Sequence, residues 1–404
     1  MLTEAQEARS IAAAADFLPS IGRLGITRLV LTGFRNYREA RLTLSTEPVV
    51  LTGPNGAGKT NLLEALSFLA PGRGLRGAKL TEIDRRPSAA DGDNAGSSTA
   101  GWAVAATVTT QRGALRLGTG RDTGDGERRL VRIDGEPVRS HAMLAERLGV
   151  VWLTPPMDRL FVDGPGGRRR FLDRLVFTLD PAHASRVGAY EQALRERARL
   201  LRDGPADPVW LGALEEVMSA QGVAVAAARR DAVERLDRAC AEADDPFPRA
   251  SLRLTGTVED WLDEMPALAV EARFAAALAA ARYGDAVAGG AAVGPHRSDL
   301  RISLARTGVA AEFGSTGEQK ALLISILLAH AELRRGLRGE PPLLLLDEIA
   351  AHLDAGRRAA LFEILARFES QVWLTGTDDA LFVQLRGRAQ FLAVSDGTVS
   401  ANSS

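Results

Sequence analysis

The sequence predicts an α/β protein in two lobes, with a core of mixed sheets assembled from both ends of the chain and an inserted helical lobe between them. Three observations predict it. A short apolar strand, Pro48 to Thr52, runs directly into a glycine loop and then a helix. Strand patterns return in the last third of the chain, where Leu343 to Leu346 form an unbroken apolar run. Between these lie long stretches rich in Ala, Leu, Arg and Glu with helical periodicity. The 404 residues exceed the size at which a single core stops growing, roughly 250–300 residues, so more than one compact unit is expected. The expected divisions are residues 1–23, an N-terminal extension; 24–165, the first part of the core; 166–283, the helical lobe; and 284–404, the second part of the core.

Taken in order, Ile26 to Thr32 and Pro48 to Thr52 read as strands because β-formers are bounded by turn residues. Thr60 to Leu69 reads as a helix, with Leu62, Leu63, Leu66 and Leu69 on one stripe. Arg85 to Gly101, a Ser, Asp, Gly and Ala cluster, reads as a loop. Val104 to Thr109, Leu115 to Leu117 and Leu130 to Ile133 alternate as strands of a small antiparallel sheet, with Asp134-Gly135 as a turn. Helical patterning then holds from Arg168 to about Ala281. It is interrupted at Asp203-Gly204-Pro205 and at Asp244 to Pro248, so each helix is expected to be a few turns long. From Asp299 to Ser404 strands and helices alternate.

Composition excludes several classes. Hydrophobic residues make up 46% and charged residues 25%, which supplies a large core. The net charge of −1 gives no global field to draw the chain to nucleic acid or an anionic membrane, so any DNA contact must come from a local basic patch. The single cysteine, Cys240, rules out an internal disulfide and a cysteine-rich metal site and fits a reducing cytoplasm. No apolar run approaches the ~18–20 residues that cross a bilayer, and Met1 to Ser20 lacks the order of a signal peptide. The five histidines are scattered without metal-ligand spacing and are expected to be structural. Only three of the 50 basic residues are lysines: Lys59, Lys79 and Lys320.

One of those lysines stands in Gly53-Pro54-Asn55-Gly56-Ala57-Gly58-Lys59-Thr60, which satisfies G-x-x-x-x-G-K-[ST] between an expected strand and an expected helix. The glycines let the backbone turn its N–H groups inward around a β-phosphate at the helix N-terminus. Lys59 would reach the β/γ-phosphates, Thr60 would offer its hydroxyl to Mg²⁺, and Asn61 would follow in the first turn. The run Leu343 to Leu346 ends in Asp347-Glu348. There Asp347 can hold the Mg²⁺ shell while Glu348 polarises an attacking water. Upstream, Gly314-Ser315-Thr316-Gly317-Glu318-Gln319-Lys320 is a small-residue turn feeding a helix. By itself this is a helix cap, with Ser315 at the N-cap; Ser315, Gly317 and the first helical N–H groups could also meet phosphate oxygens.

In order, Gly53 to Thr60, Ser315 to Gln319, Leu343 to Glu348 and Ala351-His352-Leu353-Asp354 resemble the Walker A, signature, Walker B and D-loop motifs of ABC ATPases. The resemblance implies an ABC-type, Rad50-head-like P-loop ATPase core. It also implies two ATP molecules sandwiched in a head-to-tail homodimer, with Ser315, Gly317 and Glu318 completing the partner's site and Asp354 across the interface. The stretch between Lys59 and Asp347 lacks the hundreds of heptad residues of a long-armed SMC or Rad50 protein and exceeds what a transporter subunit carries there. Leu29 to Tyr37, Leu153 to Asp173, Gly294-Pro295-His296-Arg297 and Thr375-Gly376-Thr377-Asp378 resemble the RecF family specifically, from about Ile26 to the C-terminus. Ser298 stands where that family usually has an acid, and residues 1–23 have no counterpart in it.

The resemblance implies a cytoplasmic protein of recombinational repair, replication restart and the SOS response. Such a protein acts without sequence specificity at junctions of single- and double-stranded DNA, with RecR and RecO, to load recombinase. Thr375 to Asp378 replace the histidine that touches the γ-phosphate in transporter ATPases, so slow, DNA-stimulated turnover acting as a switch is expected. For DNA contacts the densest basic stretches are Arg168-Arg169-Arg170 with Arg174, and Arg195, Arg197, Arg199 and Arg202; Arg73 and Arg76 follow the phosphate loop. Solvated helix faces would give the same pattern. A transporter's energy subunit and a non-hydrolysing ATP-operated clamp are the competing readings.

Overall fold

The computed structural model describes residues 23–85, 101–122, 128–204, 207–351 and 353–401. The extension up to residue 22, most of the expected loop between Arg85 and Gly101, and Pro205 and His352 lie outside them. The chain divides into two compact units, one formed by residues up to 155 together with those from 338 onward, the other by residues 156–337.

The first unit holds two six-stranded sheets. One is antiparallel: β1 (Gly25–Phe34) lies between β2 (Tyr37–Thr43) and β4 (Gly101–Thr110), and β5 (Gly113–Asp122), β6 (Leu130–Ile133) and β7 (Glu136–Pro137) follow outward. The expected turn between β6 and β7 is present, with Asp134 and Gly135 both at positive φ, 53° and 94°. The other sheet runs β14 (Thr398–Ala401), β13 (Gln390–Ser395), β3 (Val49–Thr52), β12 (Val372–Gly376), β11 (Leu343–Leu346), β8 (Val150–Leu153). All neighbours are parallel except β14, which closes one edge antiparallel. Every residue of β3, β8, β11 and β12 is buried, which is why these strands read as unbroken apolar runs. Helix α1 (Lys59–Ser67) follows β3 and packs on β1, β8 and β12.

The second unit is mostly helical: α2 (Pro165–Leu179), α3 (His183–Arg202), α4 (Pro208–Glu242), α5 (Thr257–Glu264), α6 (Ala267–Ala280), α7 (Arg282–Ala288) and α8 (Thr316–Arg338). Its core gathers Tyr190, Met218, Val223, Val258, Phe274 and Leu278. In α8 every residue from Gln319 to Ala331 is buried, the polar Gln319, Lys320, Ser325 and His330 included, so over these turns the helix is enclosed on every side. Two features depart from the sequence expectation. Helix α4 runs unbroken for 35 residues where helices of a few turns were expected. Its Gly222 does not break it, because the missing side chain is where the rings of Phe274 and Tyr190 close in; a Cβ there would stand 2.8 Å from Phe274. And Ala250–Thr255, expected within a helical region, is a strand, β9, paired antiparallel with β10 (Asp299–Leu304). Its partner lies more than forty residues away, out of reach of local patterning. Among the described residues no helix is long and apolar enough to cross a membrane.

Candidate nucleotide site

Gly53 to Gly58 link β3 to α1. Gly53, Gly56 and Gly58 all take positive φ, 145°, 81° and 119°, a region open to glycine and strained for other residues. Two of these glycines are also required by space. A Cβ on Gly53 would lie 2.1 Å from the Val394 carbonyl oxygen, and one on Gly58 would lie 2.6 Å from Asn36 Nδ2. Gly58 is the N-cap of α1 and carries no side chain to satisfy the first helical N–H groups, so they remain available to an anion. Lys59 begins the helix and folds back to donate to the carbonyls of Gly53 (2.7 Å) and Pro54 (2.9 Å). Burial lowers its pKa, opposed by the nearby Glu348 and Asp347 carboxylates.

The last strand residue before the acids, Leu346, is wholly internal, so Asp347 and Glu348 emerge at the carboxyl end of a central parallel strand, where open α/β sheets bind ligands. Thr60 Oγ1 donates to Asp347 at 3.0 and 3.1 Å from its two oxygens. The structure thus brings together residues 287 apart in sequence. Thr375, at the end of β12 and fully buried, links the two acids: its hydroxyl donates to Asp347 Oδ1 (2.7 Å) and accepts from the Glu348 backbone N–H (2.8 Å). Glu348 has φ 52°, a left-handed conformation unfavourable for a side-chain-bearing residue, which the bond to Thr375 helps to hold.

The hydroxyl of Thr60 beside the Asp347 carboxylate is a pair of hard oxygen donors of the kind Mg²⁺ accepts alongside phosphate oxygens and water. The glycine cradle, the uncapped helix start and Lys59 suit a polyphosphate.

Sequence reasoning missed the support behind this loop. The tip of the β1–β2 hairpin braces it: Asn36 Nδ2 donates to the Ala57 carbonyl (3.0 Å) and Tyr37 Oη to the Gly58 carbonyl (3.0 Å). Asn61 Nδ2 donates to Asn36 Oδ1 (2.7 Å), and Arg76 joins Asn61 to the fully buried Glu64, which Arg35 also holds with two bonds at 2.7 and 2.8 Å. Arg76 is therefore part of the site's frame. The one visible signal was Glu64, an acid set among the leucines Leu62, Leu63 and Leu66 of the helix; its partners were not readable.

The other expected site residues lie elsewhere. Ser315, Gly317 and Glu318 are in the second unit at the start of α8. Ser315 and Glu318 form a capping box: Ser315 Oγ accepts from the Glu318 N–H (3.3 Å) and donates to its carboxylate (2.8 Å), which also accepts from the Ser315 N–H (2.9 Å). Asp354 in the first unit is the exposed N-cap of α9 (Ala355–Arg367), accepting from the Arg357 N–H at 2.9 Å.

The basic stretches need correction. Arg168 is spent on Asp299 (2.7 and 3.1 Å), Arg169 on the Ser298 carbonyl, and Arg174 is half-buried, desolvation lowering its pKa to about 9. Arg197 is 1% exposed and bound to Glu215 (2.9 Å) and Asp285 (2.7 Å) inside the lobe, so it is no surface contact for DNA. His330 is a core residue: burial lowers its pKa to about 3, and its Nε2 faces Thr178 and the Leu175 carbonyl. Ser298, standing in place of an acid, donates at 2.6 Å to the buried Glu259; a carboxylate there would face a second carboxylate.

A nucleotide loop on a mixed sheet, its acids on a parallel strand across β12, defines an ABC-type P-loop ATPase head of the SMC kind. The family model for the RecF/RecN/SMC N terminal domain matches residues 25–398. Similar curated proteins include a DNA replication and repair protein RecF from Mesorhizobium japonicum, 49% identical across 93% of this chain and 97% of the relative. One from Agrobacterium fabrum is 46% identical across 94% and 99%. Among solved structures, the recombination mediator protein RecF with ATP, of the RecFOR pathway, aligns with TM-score 0.78 at 20% identity over 94% of this chain and 98% of that one. An Smc head domain from Pyrococcus furiosus aligns at 0.51 and 15%, over 94% and 96%. The chain belongs to the RecF family of DNA replication and repair proteins.

Proposed function

We propose that this protein is an ATP-operated DNA-binding protein of recombinational repair and replication restart, linked to the SOS response. It dimerises on ATP, engages single/double-strand junctions and works with RecR- and RecO-type partners to load recombinase. The observation that carries the reading is the cluster of Thr60, Asp347, Thr375 and Glu348 beside the Lys59 loop. Lys59 and the N–H groups of the loop would bind the phosphates, and Thr60 and Asp347 would hold Mg²⁺, which supplies charge neutralisation and orientation. Glu348 is the residue to orient and deprotonate water. Ser315, Gly317 and Glu318, exposed or half-buried at the start of α8, and the exposed Asp354 would face a second copy. The identity to curated RecF proteins, and a similar fold in RecF with ATP, support this reading.

Light scattering during gel filtration tests it: a monomer that becomes a dimer with ATP and Mg²⁺, and then carries a gapped duplex, is the expected result. Glu348→Gln should abolish turnover and accumulate ATP-bound dimers, whereas a non-hydrolysing clamp would be unaffected. A monomer indifferent to ATP would overturn the sandwich.

A further inference from the structure

Four arginines of the helical unit, Arg195, Arg199, Arg202 and Arg297, line one cavity of about 480 Å³, walled by α3 on one side and by the turn from Gly289 to Arg297 on the other. Arg195, Arg199 and Arg202 follow one another at i, i+4 and i+7, which puts them on one stripe of α3. Arg297 reaches the same cavity from the opposite wall, and among the described residues no carboxylate lines it.

We infer that this cavity binds the phosphodiester backbone of a DNA strand, at a site separate from the Lys59 loop; the inference rests on the DNA-binding reading above. The charges are available. Arg199 and Arg202 are exposed, and among the described residues neither side chain has an ion pair or hydrogen bond. Arg195 meets only Glu191, 3.6 Å away and itself exposed, and Arg297 uses only Nε, toward the Ala291 carbonyl at 3.2 Å.

The wall opposite α3 is held rigid beneath these arginines. His296 Nε2 faces the Ala291 carbonyl (2.9 Å) and its Nδ1 faces Tyr190 Oη (2.7 Å). Arg197, on the buried side of α3, ties that helix to Asp285 at 2.7 Å, just before the same turn. Gly289 and Gly290 present backbone with nothing within 4 Å of an added Cβ, so a sugar-phosphate strand can approach closely. The arginine stripe spans roughly 10 Å at 1.5 Å per residue. That matches the axial rise of about three phosphates on one strand of a duplex, roughly 3.4 Å each, and exceeds what a single phosphate ion requires. Arginine in the last turn also suits the helix dipole, but that does not account for Arg297 arriving from another segment.

The test is the double substitution Arg199→Gln with Arg202→Gln in the full chain, with Arg306→Gln as an exposed control outside the cavity. A fluorescein-labelled gapped duplex is titrated by anisotropy with ATP and Mg²⁺ at several salt concentrations, and affinity for a fluorescent ATP analogue is measured alongside. Losing two phosphate contacts should shrink the slope of log K against log salt by about 1.8, so that from about 0.05 to 0.2 M salt the wild type loses roughly tenfold more affinity than the double variant. ATP affinity and the melting curve should be unchanged, and Arg306→Gln should keep the wild-type slope. An unchanged slope and affinity in the double variant, or an equal loss in the control, would overturn the site while leaving the DNA-binding reading standing. A wild type that does not bind the duplex would overturn both.

Discussion

Thr375→Val removes one hydroxyl and keeps the shape of the side chain, and its consequences can be worked from two bonds. The hydroxyl is fully buried, donates to Asp347 at 2.7 Å and accepts from the Glu348 N–H at 2.8 Å. A hydrogen bond to a charged group contributes about 1.5–3 kcal/mol, and a backbone N–H left without a partner costs about 1–3 kcal/mol, reduced where water can reach it. The expected destabilisation is therefore roughly 2–4 kcal/mol. The geometry suffers as well: Glu348 sits at φ 52°, a conformation that costs on the order of 1–2 kcal/mol, and it loses its brace. Turnover should fall at least about tenfold, equivalent to about 1.4 kcal/mol in the barrier. Urea unfolding followed by circular dichroism reads the first effect and single-turnover ATP hydrolysis the second, with Thr375→Ser, which keeps the hydroxyl, close to wild type in both. A Thr375→Val protein within about 0.5 kcal/mol of wild type and fully active would refute the claim that this hydroxyl links the two acids.

Other consequences follow from single contacts. Gly53→Ala should lose nucleotide affinity by at least tenfold in a titration with a fluorescent ATP analogue, because its Cβ would collide with the Val394 carbonyl at 2.1 Å; unchanged binding would mean the loop is held less tightly than described. Arg197→Leu should lower unfolding free energy by roughly 3–5 kcal/mol, since Asp285 is left buried with its charge partner gone. Asp173 gives a pH signature. Burial alone would raise its pKa, but Arg229, with His183, holds it at about 2, below its ordinary 3.8. A depressed folded-state pKa stabilises the fold above the unfolded value, and that contribution, about 2 kcal/mol, is lost as pH falls from about 4 to 2. Asp173→Asn should flatten this part of the acid unfolding curve, and an unaltered curve would assign the acid transition to other groups.

Local chemistry made parts of this protein legible without coordinates. A glycine loop ending in Lys59-Thr60 and an apolar strand ending in Asp347-Glu348 announce themselves, because strand burial on both faces and a backbone cradle each demand a particular run of residue types. The same holds for the Ser315–Glu318 cap, whose partners are three residues apart. Other features depended on partners far along the chain. Composition assigns the same charge to Arg195 and Arg197, yet one faces solvent and the other lies between Glu215 and Asp285. β9 reads as a strand only once β10 lies beside it. Thr375 became the link between the acids, and Asn36, Tyr37 and Arg76 the frame of the phosphate loop, only when parallel pairing set β12 beside β11 and the hairpin tip against α1. The sequence by itself determined which segments could cradle phosphate and carry the acids, since backbone conformation and burial act over a few residues. Tertiary structure alone decided which polar side chains serve the site, which serve the core and which remain for a partner, because hydrogen bonds and ion pairs are set by distance in space.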